Sequence, residues 1–172
     1  MMIKAIIFDF DGTIIDTETA WYRVFKDAYQ EYGVDLSLET YSQCLGTSLQ
    51  SFNPYTYLST HHAISLNLDE FRTMILQNYA KLIEQESMRP GILTLLQEAK
   101  AAGLKIGLAS SSHRDWIDKF VDQLGIRDYF ECYCTADTVS NVKPDPELYY
   151  QALDRLGVKP DEAIAIEDSP NG

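Results

Sequence analysis

Three times between residues 92 and 166 the sequence repeats one pattern: an amphipathic helix, a closing glycine, then a short apolar strand. Ile92, Leu95, Leu96 and Ala99 recur at helical spacing up to Gly103 and lead into the apolar run Leu104 to Ala109. Trp116, Ile117, Phe120, Val121 and Leu124 do the same up to Gly125, ahead of a weaker strand near Glu131 to Thr135. Leu148, Tyr149, Ala152, Leu153 and Leu156 close at Gly157, and Ala163 to Ile166 is the last strand. A glycine just past a helix suits a left-handed cap, and strands that alternate with helices imply a parallel sheet covered on both faces.

One further strand stands apart. Ile3 to Phe8 reads as a buried strand that stops at Asp9-Phe10-Asp11-Gly12-Thr13. Residues 17–86 then read as helices without a convincing strand. Asp16-Thr17 offers a cap for a helix carrying Ala20, Trp21, Val24, Phe25, Ala28, Tyr29 and Tyr32 up to Gly33. Leu68, Phe71, Met74, Ile75, Tyr79, Leu82 and Ile83 mark a second long helix, and Gly46-Thr47-Ser48 and Asn53-Pro54 break the mixed stretch between. The backbone groups of the first strand need partners, and only the later strands offer them. The expected fold is therefore α/β: a Rossmann-like parallel sheet core with helices on both faces, residues 1–16 and 87–172, and an inserted all-α cap, residues 17–86. Gly12 to Thr17 and Ser87 to Gly91 are the candidate hinges, on which a cap could close over a site and exclude water.

At 172 residues and 45% hydrophobic composition the chain can bury a substantial core. The 26 acidic against 14 basic residues give a net charge of −12, which disfavours nucleic acid and anionic membrane surfaces as partners. No apolar stretch approaches the ~20 residues of a membrane span. A cytoplasmic location is expected, with Cys44, Cys132 and Cys134 as reduced thiols. The adjacent His61 and His62 do not share a helix face, so they are read as surface or cap-core residues and not as a chelating pair.

What the strands end in carries the chemistry. The strand ends are Asp9-Phe10-Asp11-Gly12-Thr13, Ser110-Ser111-Ser112, Thr135-Ala136-Asp137 and Glu167-Asp168-Ser169, with Val142-Lys143-Pro144 between the last two. In a parallel sheet these loops emerge at one edge, where such folds bind ligands. Asp9, Asp11 and Asp168 form a hard oxygen set suited to Mg²⁺, which keeps positions open for water and a phosphate oxygen. Next to such an ion a carboxylate can approach a phosphoryl group, and an aspartyl phosphate becomes reachable. Lys143 would neutralise phosphate oxygens, and Ser110, Ser111 and Thr13 would donate to them, helped by the positive end of the helix after the serines.

In order and spacing, Asp9-Phe10-Asp11-Gly12-Thr13, Ser110, Lys143-Pro144 and Glu167-Asp168 resemble the four motifs of the haloacid dehalogenase superfamily. The helical insert and the Glu-Asp-Ser end resemble its β-phosphoglucomutase-like phosphatases. The resemblance implies Asp9 as nucleophile and Asp11 as general acid and then base. It implies Mg²⁺ at Asp9, Asp168 and the Asp11 carbonyl with Glu167 beside it, and Ser110 and Lys143 on the phosphoryl group. The expected substrate is a small phosphorylated metabolite such as a sugar phosphate, with His113 and Arg114 as candidate contacts to its far end. A sugar phosphomutase is the alternative, although Trp21 and Leu49 stand where such enzymes resemble one another in a histidine and an arginine. A third reading, from another class, is a non-catalytic fragment that binds partners. Family members continue past the Glu-Asp-Ser turn with a helix and a further strand, whereas this sequence stops at Asn171-Gly172. The core is accordingly expected to lack its last elements and to expose an edge strand through which a monomer could dimerise.

Overall fold

The computed structural model describes residues 2–44 and 52–169. Gly46-Thr47-Ser48, Leu49 and Asn171-Gly172 lie outside them. The chain divides into two compact units, one of residues 1–16 and 87–172 and the other of residues 17–86.

In the first unit four strands, β1 (Ala5–Phe8), β2 (Lys105–Ala109), β3 (Cys132–Cys134) and β4 (Ala163–Ile166), form one sheet in the order β3-β2-β1-β4. Every pairing is parallel. The helices between strands are α5 (Ile92–Ala101), α6 (Arg114–Gln123) and α7 (Glu147–Leu156); α1 to α4 belong to the second unit. The chain steps one way from β1 to β3 and back the other way to β4, an order for which crossovers of the usual right hand put α5 and α6 on one face and α7 on the other. Strand alternation shows the same division. Ala5, Ile7, Ala109, Cys132 and Cys134 pack with Leu148, Ala152, Leu153 and Leu156 of α7. On the opposite face Phe8 meets Phe130 edge-on at 6.2 Å between ring centres. All three cysteines are free thiols, and the two in β3 are buried.

This strand order sets the position of the site. The chain reverses direction across the sheet between β1 and β4, which makes the gap beyond their carboxyl ends the switch point where open α/β sheets hold ligands. Phe8 lies opposite Ile166, so the residues that follow, Asp9 and Glu167, leave the sheet side by side. The Asp9 N–H donates to the Ile166 carbonyl at 2.9 Å, carrying the ladder one step further. Ile164 of β4 is 44% exposed. Among the described residues β4 pairs with β1 alone, which leaves it at the border of the sheet.

The second unit consists of helices: α1 (Thr17–Glu31), α2 (Leu38–Tyr41), α3 (Tyr57–His61) and α4 (Leu68–Ile83). Trp21 stacks on Tyr79 at 3.7 Å and Tyr32 meets Phe71 at 6.3 Å, so the start of α1 lies by the end of α4 and the two helices run antiparallel. Asn67 caps α4 through its side-chain oxygen, which accepts from the N–H groups of Asp69 and Glu70. The Trp21 face of α1 is thus aromatic packing within this unit.

Candidate active site

Asp9 stands on the first residue past β1 and is buried. Lys143, on the loop between β3 and α7, donates from Nζ to Asp9 Oδ1 at 2.6 Å and also contacts Glu167 Oε1. Glu167 Oε1 accepts a second hydrogen bond from the Tyr149 hydroxyl at 2.8 Å, and the Lys143 ammonium lies 5.0 Å from the centre of the Tyr149 ring. Asp168 completes the group: its Oδ1 accepts from Thr13 Oγ1 at 3.1 Å. Gly12 makes room for it. With φ at +84°, and with the Asp168 carboxylate against the position a Cβ would take, glycine is the residue that the turn after Asp11 accepts without backbone strain.

Asp9, Glu167 and Asp168 present carboxylate oxygens that all lie within 4.8 Å of one another. Among the described residues Lys143 pairs with two of these acids, Asp9 and Glu167, and the third adds to an excess of negative charge at a partly buried spot. A hard divalent cation with oxygen ligands fits that donor set and that charge. Burial raises the Asp9 carboxyl to about 7, outweighing the opposing pull of Lys143.

Asp11 follows a different course. Its carboxylate is not part of this acidic group; it turns toward the loop after β2. Ser112 Oγ donates to its Oδ2 at 2.6 Å and Ser110 Oγ to the same atom at 3.3 Å, while the Trp116 indole N–H donates to Oδ1 at 3.0 Å. Burial moves this carboxyl upward too, against the hydrogen bonds from Ser112, Trp116 and Ser110. Of the expected metal residues Asp9, Asp11, Glu167 and Asp168, the carboxylates of Asp9, Glu167 and Asp168 lie together and the Asp11 side chain lies outside that group.

The remaining expected residues divide. Ser110 is buried and its oxygen also accepts from the Ser112 N–H at 3.0 Å, whereas Ser111 is exposed. Asp137, at the end of β3, caps α6: it accepts from the Arg114 N–H at 2.6 Å and from His113 Nδ1 at 2.7 Å. The Arg114 guanidinium is taken up by Asp118 at 2.9 Å and lies 4.7 Å from the centre of the Tyr133 ring. The partners of His113 and Arg114 are therefore acids and an aromatic ring of the same unit. Three residues of the site were not singled out by spacing: Ser112, Trp116 and Tyr149. Trp116 and Tyr149 sit at apolar positions of their helices, and the usable signal was the polar end of each ring, which needs a partner when buried.

The sequence profile of the haloacid dehalogenase-like hydrolases matches residues 6–172. The chain belongs to that family. It is a hydrolase by this membership. YhcW of Bacillus subtilis (strain 168) is 46% identical over 171 residues, covering 99% of this chain and 77% of that protein. The phosphorylated carbohydrates phosphatase of Thermotoga maritima is 27% identical over 179 residues, covering 99% of this chain and 78% of its own length. Among solved structures, CbbY from Rhodobacter sphaeroides in complex with phosphate superposes with a TM-score of 0.67 at 29% identity, over 99% of this chain and 80% of that one.

Proposed function

We propose that the protein is a Mg²⁺-dependent phosphatase of small phosphorylated metabolites, phosphorylated carbohydrates among them, working through a phosphorylated Asp9. The observation that carries this reading is Lys143 bridging Asp9 and Glu167 at the switch point, with Asp168 alongside and Asp11 two residues away on neutral donors. We assign the phosphoryl chemistry to residues 1–16 and 87–172 and the selection of the alcohol to the helical unit, residues 17–86. Kinship with a phosphorylated carbohydrates phosphatase supports the substrate class.

In this scheme an Asp9 carboxylate oxygen attacks phosphorus and the bond to the ester oxygen breaks. Asp11 gives its proton to the departing alcohol. Asp11, now a carboxylate, takes a proton from the water that attacks the phosphorus of phospho-Asp9, and inorganic phosphate leaves with Asp9 restored. Lys143 holds Asp9 and offsets charge on the phosphoryl oxygens, and Ser110 and the loop from Asp11 to Thr13 supply donors. When bound at Asp9, Glu167 and Asp168, Mg²⁺ supplies the positive charge that lets an anion approach an anion and holds Asp9 ionised.

The test is hydrolysis of 4-nitrophenyl phosphate by wild type, Asp9→Asn and Asp11→Asn, with Mg²⁺ and with EDTA. Turnover should need Mg²⁺, be abolished in Asp9→Asn, and fall on the order of 10²-fold or more in Asp11→Asn. Equal rates in all three proteins would sink the proposal.

A further inference from the structure

The carboxylate of Asp11 is held at both oxygens by donors that come from one short segment, residues 110–116. A carboxylate held at one oxygen can swing about its last torsion; held at both, it is fixed in plane and direction. The donors are not equivalent. Serine hydroxyls rotate and both donate and accept, and Ser110 is also the residue assigned to the phosphoryl group. The indole N–H of Trp116 only donates, and its ring is set against Phe120, 4.6 Å away between centres and tilted by 57°. Trp116 is the rigid member of the set, and it reaches Oδ1 while the serines reach Oδ2.

We propose that Trp116 is a positioning residue for the acid–base step: its N–H anchors Oδ1 of Asp11 and fixes the plane and direction of that carboxylate. Oδ1 faces an N–H that cannot turn away, which fixes the plane in which the remaining lone pairs of the carboxylate lie. The hydroxyls at Oδ2 can accept as well as donate, so they can turn as Asp11 gains and loses its proton while the indole keeps its place. The role rests on Asp11 being the general acid and base of the proposed phosphatase reaction.

Two measurements separate this role from simple packing. The first needs no catalysis. The sequence has two tryptophans, Trp21 and Trp116, so protein labelled with 5-fluorotryptophan gives two fluorine resonances, assigned with Trp21→Phe. The Trp116 resonance should move on Asp11→Ala and stay in place on Asp9→Ala; a resonance indifferent to Asp11→Ala overturns the contact.

The second reads the alcohol-releasing step, which is what kcat/KM reports in a two-step reaction. Trp116→Phe, and benzothienylalanine at position 116, which keeps the ring shape but lacks the N–H, are assayed on glycerol phosphate and on 4-nitrophenyl phosphate. Glycerol needs a proton to depart and 4-nitrophenolate does not. Both variants should lose about tenfold in kcat/KM on glycerol phosphate, a part of the ~10²–10⁴ that a whole general acid supplies, and stay within about twofold of wild type on the aryl ester. Equal losses on the two substrates overturn the positioning role and leave the phosphatase reading intact. If the wild type hydrolyses neither ester with Mg²⁺ present, the phosphatase reading fails and this role fails with it, whatever the fluorine spectrum shows.

Discussion

Asp9 and Asp11 stand two residues apart on one loop and face opposite surroundings. Asp9 is held by a cation, Lys143, and neighbours two further acids, Glu167 and Asp168. Asp11 is held by two hydroxyls and an indole, all of them neutral. Burial raises both carboxyls, but the means of stabilising the charged form differ. Lys143 opposes the rise at Asp9 without overcoming it, and in the proposed scheme a bound Mg²⁺ would hold Asp9 as the attacking anion. Neutral donors favour the anion weakly, and the serine hydroxyls can turn to receive a proton, which suits a group that must gain and lose one. In the proposed scheme the same side chain takes two tasks according to what the strand ends place around it.

The largest expected effect comes from the spot where the two halves touch. Gly12 separates Asp11 from Thr13 and lies against Asp168, with a φ of +84°. Gly12→Ala adds ~1–2 kcal/mol of left-handed backbone strain and drives a methyl group into the Asp168 carboxylate. Displacing one ligand of the acidic group by about 1 Å costs on the order of 10²-fold in rate; with the strain, activity on 4-nitrophenyl phosphate should fall on the order of 10³-fold, and more Mg²⁺ should be needed for half-saturation. A variant within tenfold of wild type at every Mg²⁺ concentration would show that Gly12 and Asp168 do not compete for that space.

The next effect tests the charged half through pH. In the metal-free protein burial raises Asp9 from an ordinary value of 3.8 to about 7. The folded state therefore binds the proton more tightly than the unfolded chain does. This contribution to stability is fully present below pH 3.8 and is lost as the pH rises through about 7. Between pH 5 and pH 8 it amounts to about 3 kcal/mol. Asp9→Asn lacks the titrating group. In urea unfolding with EDTA present, the stability of wild type relative to Asp9→Asn should drop by about that amount from pH 5 to pH 8. A gap that stays level, or widens in favour of wild type, would mean that Lys143 outweighs burial.

Much of this site was legible before any coordinates, and the reason is physical. Strand-end acids, a lysine before a proline and helix-closing glycines are local signals, and a parallel sheet collects strand ends at one edge whatever the details of packing. Asp9, Lys143, Glu167 and Asp168 were found that way. The direction in which a side chain turns is not local. Asp11 looked like a third acid of the metal set because spacing cannot show that residues about a hundred positions later draw its oxygens aside. Trp116 and Tyr149 were hidden for the opposite reason: helical periodicity accounts for them as packing, and their single polar atoms leave no trace in the pattern.

The smallest effects give the sharpest division, because each half has one neutral donor whose removal leaves the charges in place. Tyr149→Phe takes away the hydroxyl that holds Glu167 and keeps the ring beside Lys143. Losing such a support to a ligand costs ~10-fold or somewhat more in metal affinity, so the Mg²⁺ concentration for half-maximal rate should rise about tenfold while kcat at saturating Mg²⁺ changes less than about twofold. Ser112→Ala removes the shorter hydroxyl bond to Asp11 Oδ2 and touches no member of the acidic group. A neutral hydrogen bond is worth ~1 kcal/mol, so kcat should fall about fivefold at unchanged Mg²⁺ half-saturation. Ser110 and Trp116 still hold the Asp11 carboxylate in that variant, which keeps the loss below that of removing Asp11 itself. If the two substitutions move the same kinetic parameter, the metal-holding and proton-moving halves are one network, and the contrast between Asp9 and Asp11 is one of position alone.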